Sequence, residues 1–556
     1  MFDDRFSNIN LKGDLFGGVT TAIISLPLAL AFGVASGAGA EAGLWGAIMV
    51  GLFAALFGGS STLISEPTGP MTVIMTAVLT SMMAKYPETG LAMSFTVVMM
   101  AGAFQILLGT LKLGKYVTLM PYSVVSGFMS GIGVILIILQ LSPLLGHSAP
   151  QGGVLGTLSA VPNTLANVSF SELFLGILTL AVLFYFPKKY RKYVPAQLVA
   201  LVAVTLISVI IFDIEAIRRI GEIPAGLPSL VIPHFNAEMF TTMVVDALVL
   251  GTLGCIDTLL TAVIGDSLTR KEHNSDKELR GQGIANMLSG LFGALPGAGA
   301  TMGTVTNIQV GARSPLSGII RAAVLALVVL VAGSLTEPIP MAVLAGIAVY
   351  VGINILDWSF IQRAHKINIQ GMVVMYSVML LTVFVDLIVA VGLGVFISNI
   401  IIIEKLSRAQ AKQVKAISDA DSDIPLTDPE RSLLDKAQGK VLYFYLSGPM
   451  IFSVSKAITR QHASIENYEV MILDLTDVPM IDVTVGLALE NAIKDALDSQ
   501  CEPILLCPNE QTYRQLEKFN ILRLIASEHN CKHRISALNA ALAHIEDDED
   551  NDQTNS

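Results

Sequence analysis

Asp257 lies in the run Leu250-Gly251-Thr252-Leu253-Gly254-Cys255-Ile256-Asp257-Thr258-Leu259-Leu260-Thr261. No Lys or Arg occurs between Arg219 and Arg270, so this run reads as part of a membrane span. At membrane depth a carboxylate is expensive and is normally paired or functional. A salt bridge to a neighbouring helix is the purely structural answer. The apolar stretches, however, hold almost no basic residues, and Arg321 is the nearest exception. The acid must then take a proton or bind a cation. Thr261 follows one turn on, at i+4, so both side-chain oxygens occupy one helical face. Carbonyls or hydroxyls of Gly299 and Thr301 opposite would complete a hard-oxygen site suited to sodium. Protonation of Asp257 stays open beside it, because dehydration and cavity geometry decide between the two.

A second chemistry resides in Glu66-Pro67-Thr68-Gly69-Pro70-Met71-Thr72 and in Pro296-Gly297-Ala298-Gly299-Ala300-Thr301-Met302-Gly303-Thr304. Proline suits a first helical turn, and glycine lets backbone approach a ligand closely. A helix that starts inside a membrane leaves N–H groups without intrahelical partners and a partial positive charge at its tip. Two such tips facing each other would bind a small anion without Lys or Arg. Either segment alone is equally well an ordinary turn; their matched positions along the chain favour a site. Glu66 either tunes that pocket or caps the helix. Glu41, Glu88, Asp213, Glu337 and Asp386 fall at span ends or loops and read as solvated, as does His147.

These groups need a membrane scaffold. Of 556 residues, 53% are hydrophobic and 14% charged, whereas a soluble chain carries roughly a quarter charged residues. Lys and Arg are absent from Lys12 to Lys85, from Lys115 to Lys188 and from Lys366 to Lys405. Apolar segments fall near 15–38, 42–58, 68–84, 91–111, 121–143, 171–187, 195–213, 241–263, 281–295, 301–312, 318–334, 339–356, 368–385 and 386–404. A hydrocarbon core roughly 30 Å thick needs about 20 residues per helix. The third and tenth segments are short, flanked by Gly and Pro, and dotted with hydroxyls. Two halves of seven put them in equivalent places and give the second half the opposite orientation, the inverted-repeat plan of many secondary transporters. Basic residues cluster after even-numbered segments (Lys112 and Lys115; Lys188 to Lys192; Arg270 to Arg280; Arg313; Arg363 to Lys366). Odd loops hold only Lys85 and the pair Arg218 and Arg219, so even loops and both termini are expected in the cytosol. The N-terminus shows no cleavable signal pattern.

After Lys405 the composition turns polar. Residues 406–437 read as a linker, 438–545 as a small α/β domain, and 546–556, with its Glu546-to-Asp550 acidic run, as a disordered tail. Strands are expected at 441–446, 470–475 and 503–507, and helices at 453–462, 484–497 and 510–519. Cys255, Cys501, Cys507 and Cys531 fit neither a zinc site nor a disulfide framework. No basic patch suggests nucleic acid, and no acid–base pair, nucleophile triad or metal cluster suggests an enzyme.

Gly13-Asp14-Leu15-Phe16-Gly17-Gly18-Val19-Thr20 leading to Pro27, Gly43-Leu44-Trp45-Gly46, Ser65-Glu66-Pro67-Thr68-Gly69-Pro70 and Glu278-Leu279-Arg280-Gly281-Gln282-Gly283-Ile284-Ala285-Asn286 together resemble the SulP family of anion transporters. The likeness runs over nearly the whole chain and is strongest to the family's sodium-dependent bicarbonate branch. It implies fourteen spans in core and gate subdomains, an elevator-type mechanism and a homodimer in the inner (plasma) membrane. Carried over by motif, sodium would meet Asp257, Thr261, Gly299 and Thr301, and the anion would meet Thr68, Gly69, Ala300 and Thr301. Many members carry an Arg-Ser pair where Gly303-Thr304 stand here, and a bound sodium ion could replace that missing charge. Asp474-Leu475-Thr476-Asp477-Val478-Pro479-Met480-Ile481-Asp482-Val483-Thr484 resembles the central strand-turn-helix of STAS domains, with Thr484 at their phosphorylated serine and either Thr484 or Asp482 as helix N-cap. The expected function is sodium-coupled bicarbonate uptake with no cofactor besides the coupling ion. Its rivals are proton-coupled symport of sulfate or a dicarboxylate, and a ligand sensor that signals through the STAS domain.

Overall fold

The computed structural model describes residues 4–6, 9–117, 121–150, 152–187, 189, 194–213, 216–221, 226–332, 336–367, 369–385, 387–411, 414–417, 424–450 and 468–555. The chain forms two compact units, Met1–Ser398 and Asn399–Ser556.

Helices stand at all fourteen expected apolar segments. In the first half they are α1 (Leu11–Ser36), α2 (Ala40–Phe57), α3 (Gly69–Lys85), α4 (Gly90–Thr110), α5 (Tyr122–Leu139), α6 (Phe170–Tyr185) and α7 (Ala196–Ile211). In the second they are α8 (Phe240–Thr269), α9 (Ser275–Leu291), α10 (Thr301–Val310), α11 (Leu316–Ala332), α12 (Met341–Ile355), α13 (Ile369–Phe384) and α14 (Leu387–Ala411). Six helices are by themselves long and apolar enough to cross a bilayer. Shorter ones need not reach across it, since irregular backbone is tolerated at membrane depth where protein or a cavity surrounds it.

Two boundaries differ from the hydropathy reading. α9 begins six residues before position 281, at Ser275, because the Asn274 side chain accepts from the Lys277 N–H at 2.9 Å and starts the helix among charged residues. It ends at Leu291, and Gly293 then takes φ +62°, which suits glycine. A helix at Gly153–Ala166, in what the sequence presents as an outer loop, meets α6 at 117°.

α1–α4 pack with α8–α11, while α5–α7 pack with α12 and α13, which gives the core and gate division. Small residues bring the backbones together, as is usual between membrane helices. A Cβ on Gly102 of α4 would lie 2.5 Å from the Gly283 carbonyl of α9, and one on Gly283 would lie 2.5 Å from the Gly102 carbonyl. Arg218 and Arg219, the outer-loop exceptions to the charge rule, are both engaged. Arg218 pairs with Glu172 at 2.7 Å, and Arg219 donates to the Pro338 carbonyl, so both serve structure there.

Just ahead of α3 and α10 lie two strand stubs, β1 (Ser65–Glu66) and β2 (Ala298–Gly299), paired antiparallel with Ser65 opposite Gly299 and Glu66 opposite Ala298. Antiparallel pairing brings both segments to one place from opposite directions, as inverted repeats require.

The second unit carries a five-stranded sheet, β3 (Val414–Ile417), β4 (Val441–Ser447), β5 (Val470–Asp477), β6 (Glu502–Leu506) and β7 (Asn530–Cys531), in that order. β3 is antiparallel to β4 and the others run parallel. Alternate residues of β4 face opposite layers. Leu442, Phe444 and Leu446 pack with α16 (Val483–Asp498) and α17 (Glu510–Lys518), while Val441, Tyr443 and Tyr445 pack with α15 (Asp428–Lys436) and α18 (Arg534–Asn555). The stretch 406–437 is therefore no plain linker: β3 supplies an edge strand, and α15 carries a capping box at Thr427 and Glu430. The acidic tail also differs from its expectation, since α18 continues to Asn555, anchored by buried Leu538, Ala541 and Ile545. The helix expected over 453–462 lies outside the described residues. Asp482 is the N-cap of α16, accepting from Val485 N–H at 2.9 Å, and Thr484 is exposed in the first turn. Arg534 ties α18 to the sheet, pairing with the fully buried Asp474 at 2.9 Å and with Asp477 at 3.2 Å. Burial and the neighbouring Asp474 carboxylate push the Tyr443 hydroxyl well above its ordinary pKa, so it serves as a donor to Asp474 at 2.7 Å.

Candidate functional site

Thr68 and Ala300 are the N-cap residues of α3 and α10, and neither makes a side-chain cap to its own helix. First-turn amides have no carbonyl four residues back within the helix. On α3 these belong to Gly69 and Met71, since Pro70 has none; on α10 they belong to Thr301, Met302 and Gly303. Ala300 differs from its expected part, because its own N–H donates to the Ile64 carbonyl at 2.7 Å and so extends the strand pairing. It can shape the anion's surroundings but has no amide to offer. The Thr68 hydroxyl, unused as a cap, donates to Asp257 Oδ2 at 2.8 Å.

That bond joins groups the sequence assigned separately, one to the anion and one to the cation. Asp257, 8% exposed, is in no ion pair among the described residues. One turn further, Thr261 Oγ1 donates to the Gly299 carbonyl at 2.9 Å and lies 2.9 Å from Thr301 Oγ1, which must then donate to it. Thr258 Oγ1 accepts from Gly299 N–H at 3.1 Å, so α8 grips both polar atoms of that residue. All four expected sodium ligands therefore belong to one bonded neighbourhood. One carboxylate with hydroxyl and carbonyl oxygens suits a hard monovalent cation better than a transition metal.

Two devices absent from the sequence reading hold the stubs. Arg321, fully buried on α11, donates to Ser25 Oγ at 3.0 Å, to the Ser65 carbonyl at 3.0 Å and to Glu66 Oε2 at 2.6 Å. Glu66 is thus an ion-pair partner, neither a cap nor a free acid. On the other side, Asn286 receives the Gly297 N–H at 2.8 Å and donates to the Gly297 carbonyl at 3.0 Å and to Gln105 Oε1 at 2.9 Å. Gln282 adds a 2.9 Å bond to the same carbonyl. The polar i,i+4 pair Gln282 and Asn286 on a buried helix was the available signal for this clamp. Gly303 points toward the first device: a Cβ there would sit 3.6 Å from Glu66 Oε1.

A cavity of ≈ 530 Å³ joins Glu66, Thr68, Gly69, Asp257, Gly299, Ala300 and Thr301. Its wall continues along α10 to Thr306 and includes Gln197 at the start of α7 and Asn354 at the end of α12.

Paired strand stubs, two broken helices facing a common cavity and a buried acid beside them define an inverted-repeat secondary transporter. The pattern of the sulfate permease family matches residues 11–378 and that of the STAS domain residues 433–536. The chain belongs to the sulfate permease family and carries a C-terminal STAS domain. It is 56% identical over 540 residues to the bicarbonate transporter BicA of Picosynechococcus, covering 96% of this chain and 95% of that one. Among solved structures it resembles the transmembrane domain of a cyanobacterium bicarbonate transporter BicA, with TM-score 0.65 and 62% identity over 69% of this chain and 98% of that one. The structure of SLC26A9 matches with TM-score 0.81 over 97% of this chain and 91% of that one, and at 17% identity it speaks for the fold alone.

Proposed function

We propose that the chain takes up bicarbonate in symport with sodium. The observation that carries this reading is Asp257: buried, bonded to Thr68, without an ion-pair partner, and adjoining the amide tips of two helices. Sodium held by Asp257, Thr261, the Gly299 carbonyl and Thr301 neutralises the carboxylate. Bicarbonate then docks against the first-turn amides of α3 and α10 and the Thr68 and Thr301 hydroxyls. Without sodium the anion meets an unscreened carboxylate, so binding is conditional on the cation. The high identity to transporters named for bicarbonate supports the choice of anion.

Transport in this reading moves the core helices, with the site, against the gate helices in an elevator-type step. The separate packing of the two groups supports that division. Loop charges support cytosolic termini in the inner membrane, and then the cavity wall running along α10 leads to the cytosolic side. The family resemblance supports a homodimer.

Ion-substitution uptake by the purified chain in proteoliposomes tests the proposal, comparing bicarbonate, sulfate and fumarate with and without sodium. Bicarbonate uptake that requires sodium is expected, and Asp257→Asn should reduce sodium stimulation to background. Uptake driven by a pH gradient alone would favour the proton-coupled reading, and absence of any counterflow would favour a sensor.

A further inference from the structure

Among the described residues lining the cavity, the carboxylic acids are Glu66 and Asp257, and no Lys or Arg joins them. Arg321 sits directly behind Glu66 and fully buried. The fold makes room for it: a Cβ on Gly51 would lie 2.3 Å from Arg321 Nη1. Glu66 Oε1, the oxygen not bonded to Arg321, faces the first turn of α10 near Gly303. Two carboxylates and one guanidinium leave this neighbourhood with one net negative charge, and a bound sodium ion brings it to neutral.

We propose that the Glu66–Arg321 pair determines the cation requirement: Glu66 masks a fixed positive charge beside the anion site and so makes anion binding depend on a mobile one at Asp257. The inference rests on the sodium-coupled reading above. A buried guanidinium behind two helix tips would by itself attract an anion. Paired with Glu66 it contributes no net charge, while the pair still fixes β1 and the start of α3. Replacing Glu66 by glutamine keeps the shape and a hydrogen-bond acceptor for Arg321. It leaves the sodium-free site with the net charge that the wild-type site reaches only with sodium bound.

The test compares wild type, Glu66→Gln and the double variant Glu66→Gln/Arg321→Met, full-length in proteoliposomes, for bicarbonate uptake with sodium or with N-methylglucamine. Glu66→Gln is expected to raise sodium-free uptake by about tenfold or more, a change of ~1.4 kcal/mol. The double variant, which lacks both charges of the pair, is expected to be sodium-dependent again. An unpaired buried charge can weaken the fold. The second readout is therefore the rise in unfolding temperature of the purified protein when bicarbonate is added in sodium-free buffer. Glu66→Gln should show a rise that wild type lacks. Sodium-dependent wild type together with a Glu66→Gln protein that neither transports nor is stabilised without sodium overturns the mask alone. Equal sodium independence of the single and double variants overturns it too, since Arg321 would not be the source. A wild type indifferent to sodium sinks the parent reading, and the mask with it.

Discussion

The β1–α3 arm is tied down by charge and the β2–α10 arm by neutral amides. The two arms meet as antiparallel partners, with the register Ser65 opposite Gly299. Yet Arg321 holds the first through Ser65 and Glu66, whereas Asn286, Gln282 and Gln105 hold the second through Gly297. Repeat symmetry thus extends to backbone geometry but not to its supports. The charged support stands next to the cavity and can influence what binds there. The amide support hides between α4 and α9 and acts on position alone. Only the charged arm combines a structural duty with an electrostatic one.

Breaking each support should expose that asymmetry. Arg321→Met leaves Glu66 buried without its partner, and loss of one member of a buried pair is destabilising by about 3–5 kcal/mol. The purified variant is expected to unfold at a markedly lower temperature, and sodium should restore less uptake than in wild type because two unmasked carboxylates now repel the anion. Asn286→Leu keeps approximate volume but leaves the Gly297 N–H unsatisfied, at about 1–3 kcal/mol. Here the drop in unfolding temperature should be smaller, with reduced maximal uptake and an unchanged sodium requirement. A change in sodium requirement in Asn286→Leu would erase the contrast between the arms. The smallest effect belongs to Thr261→Val, which removes one hydroxyl from the cation neighbourhood. Half-saturating sodium should rise about fivefold, corresponding to the ~1 kcal/mol of one neutral hydrogen bond. The concentration dependence of uptake measures it.

Much of this site is legible in the sequence because its signals are local. Pro70 and the glycines around Gly299 announce helices that begin inside the membrane, and the spacing of Asp257 and Thr261 places two oxygens on one face. What escaped lies in pairings across the fold. Glu66 and Arg321 are 255 residues apart, and Thr68 and Asp257 are 189 apart. No periodicity links them. Hydropathy also misled where caps and small anchors decide. α9 starts among charges because Asn274 caps it, and α18 runs through an acidic stretch that composition assigns to solvent. β3 was hidden because an edge strand needs few apolar residues, and Val414-Lys415-Ala416-Ile417 supplies few.

Equilibrium binding of sodium and bicarbonate to the purified full-length protein, each titrated with the other absent and then saturating, tests the heart of the account. A carboxylate that only a mobile cation neutralises should make each ion tighten the other by the same factor, tenfold or more at ~1.4 kcal/mol of coupling, with the coupling gone in Asp257→Asn. Bicarbonate that binds equally well with and without sodium, or coupling that survives Asp257→Asn, would contradict it.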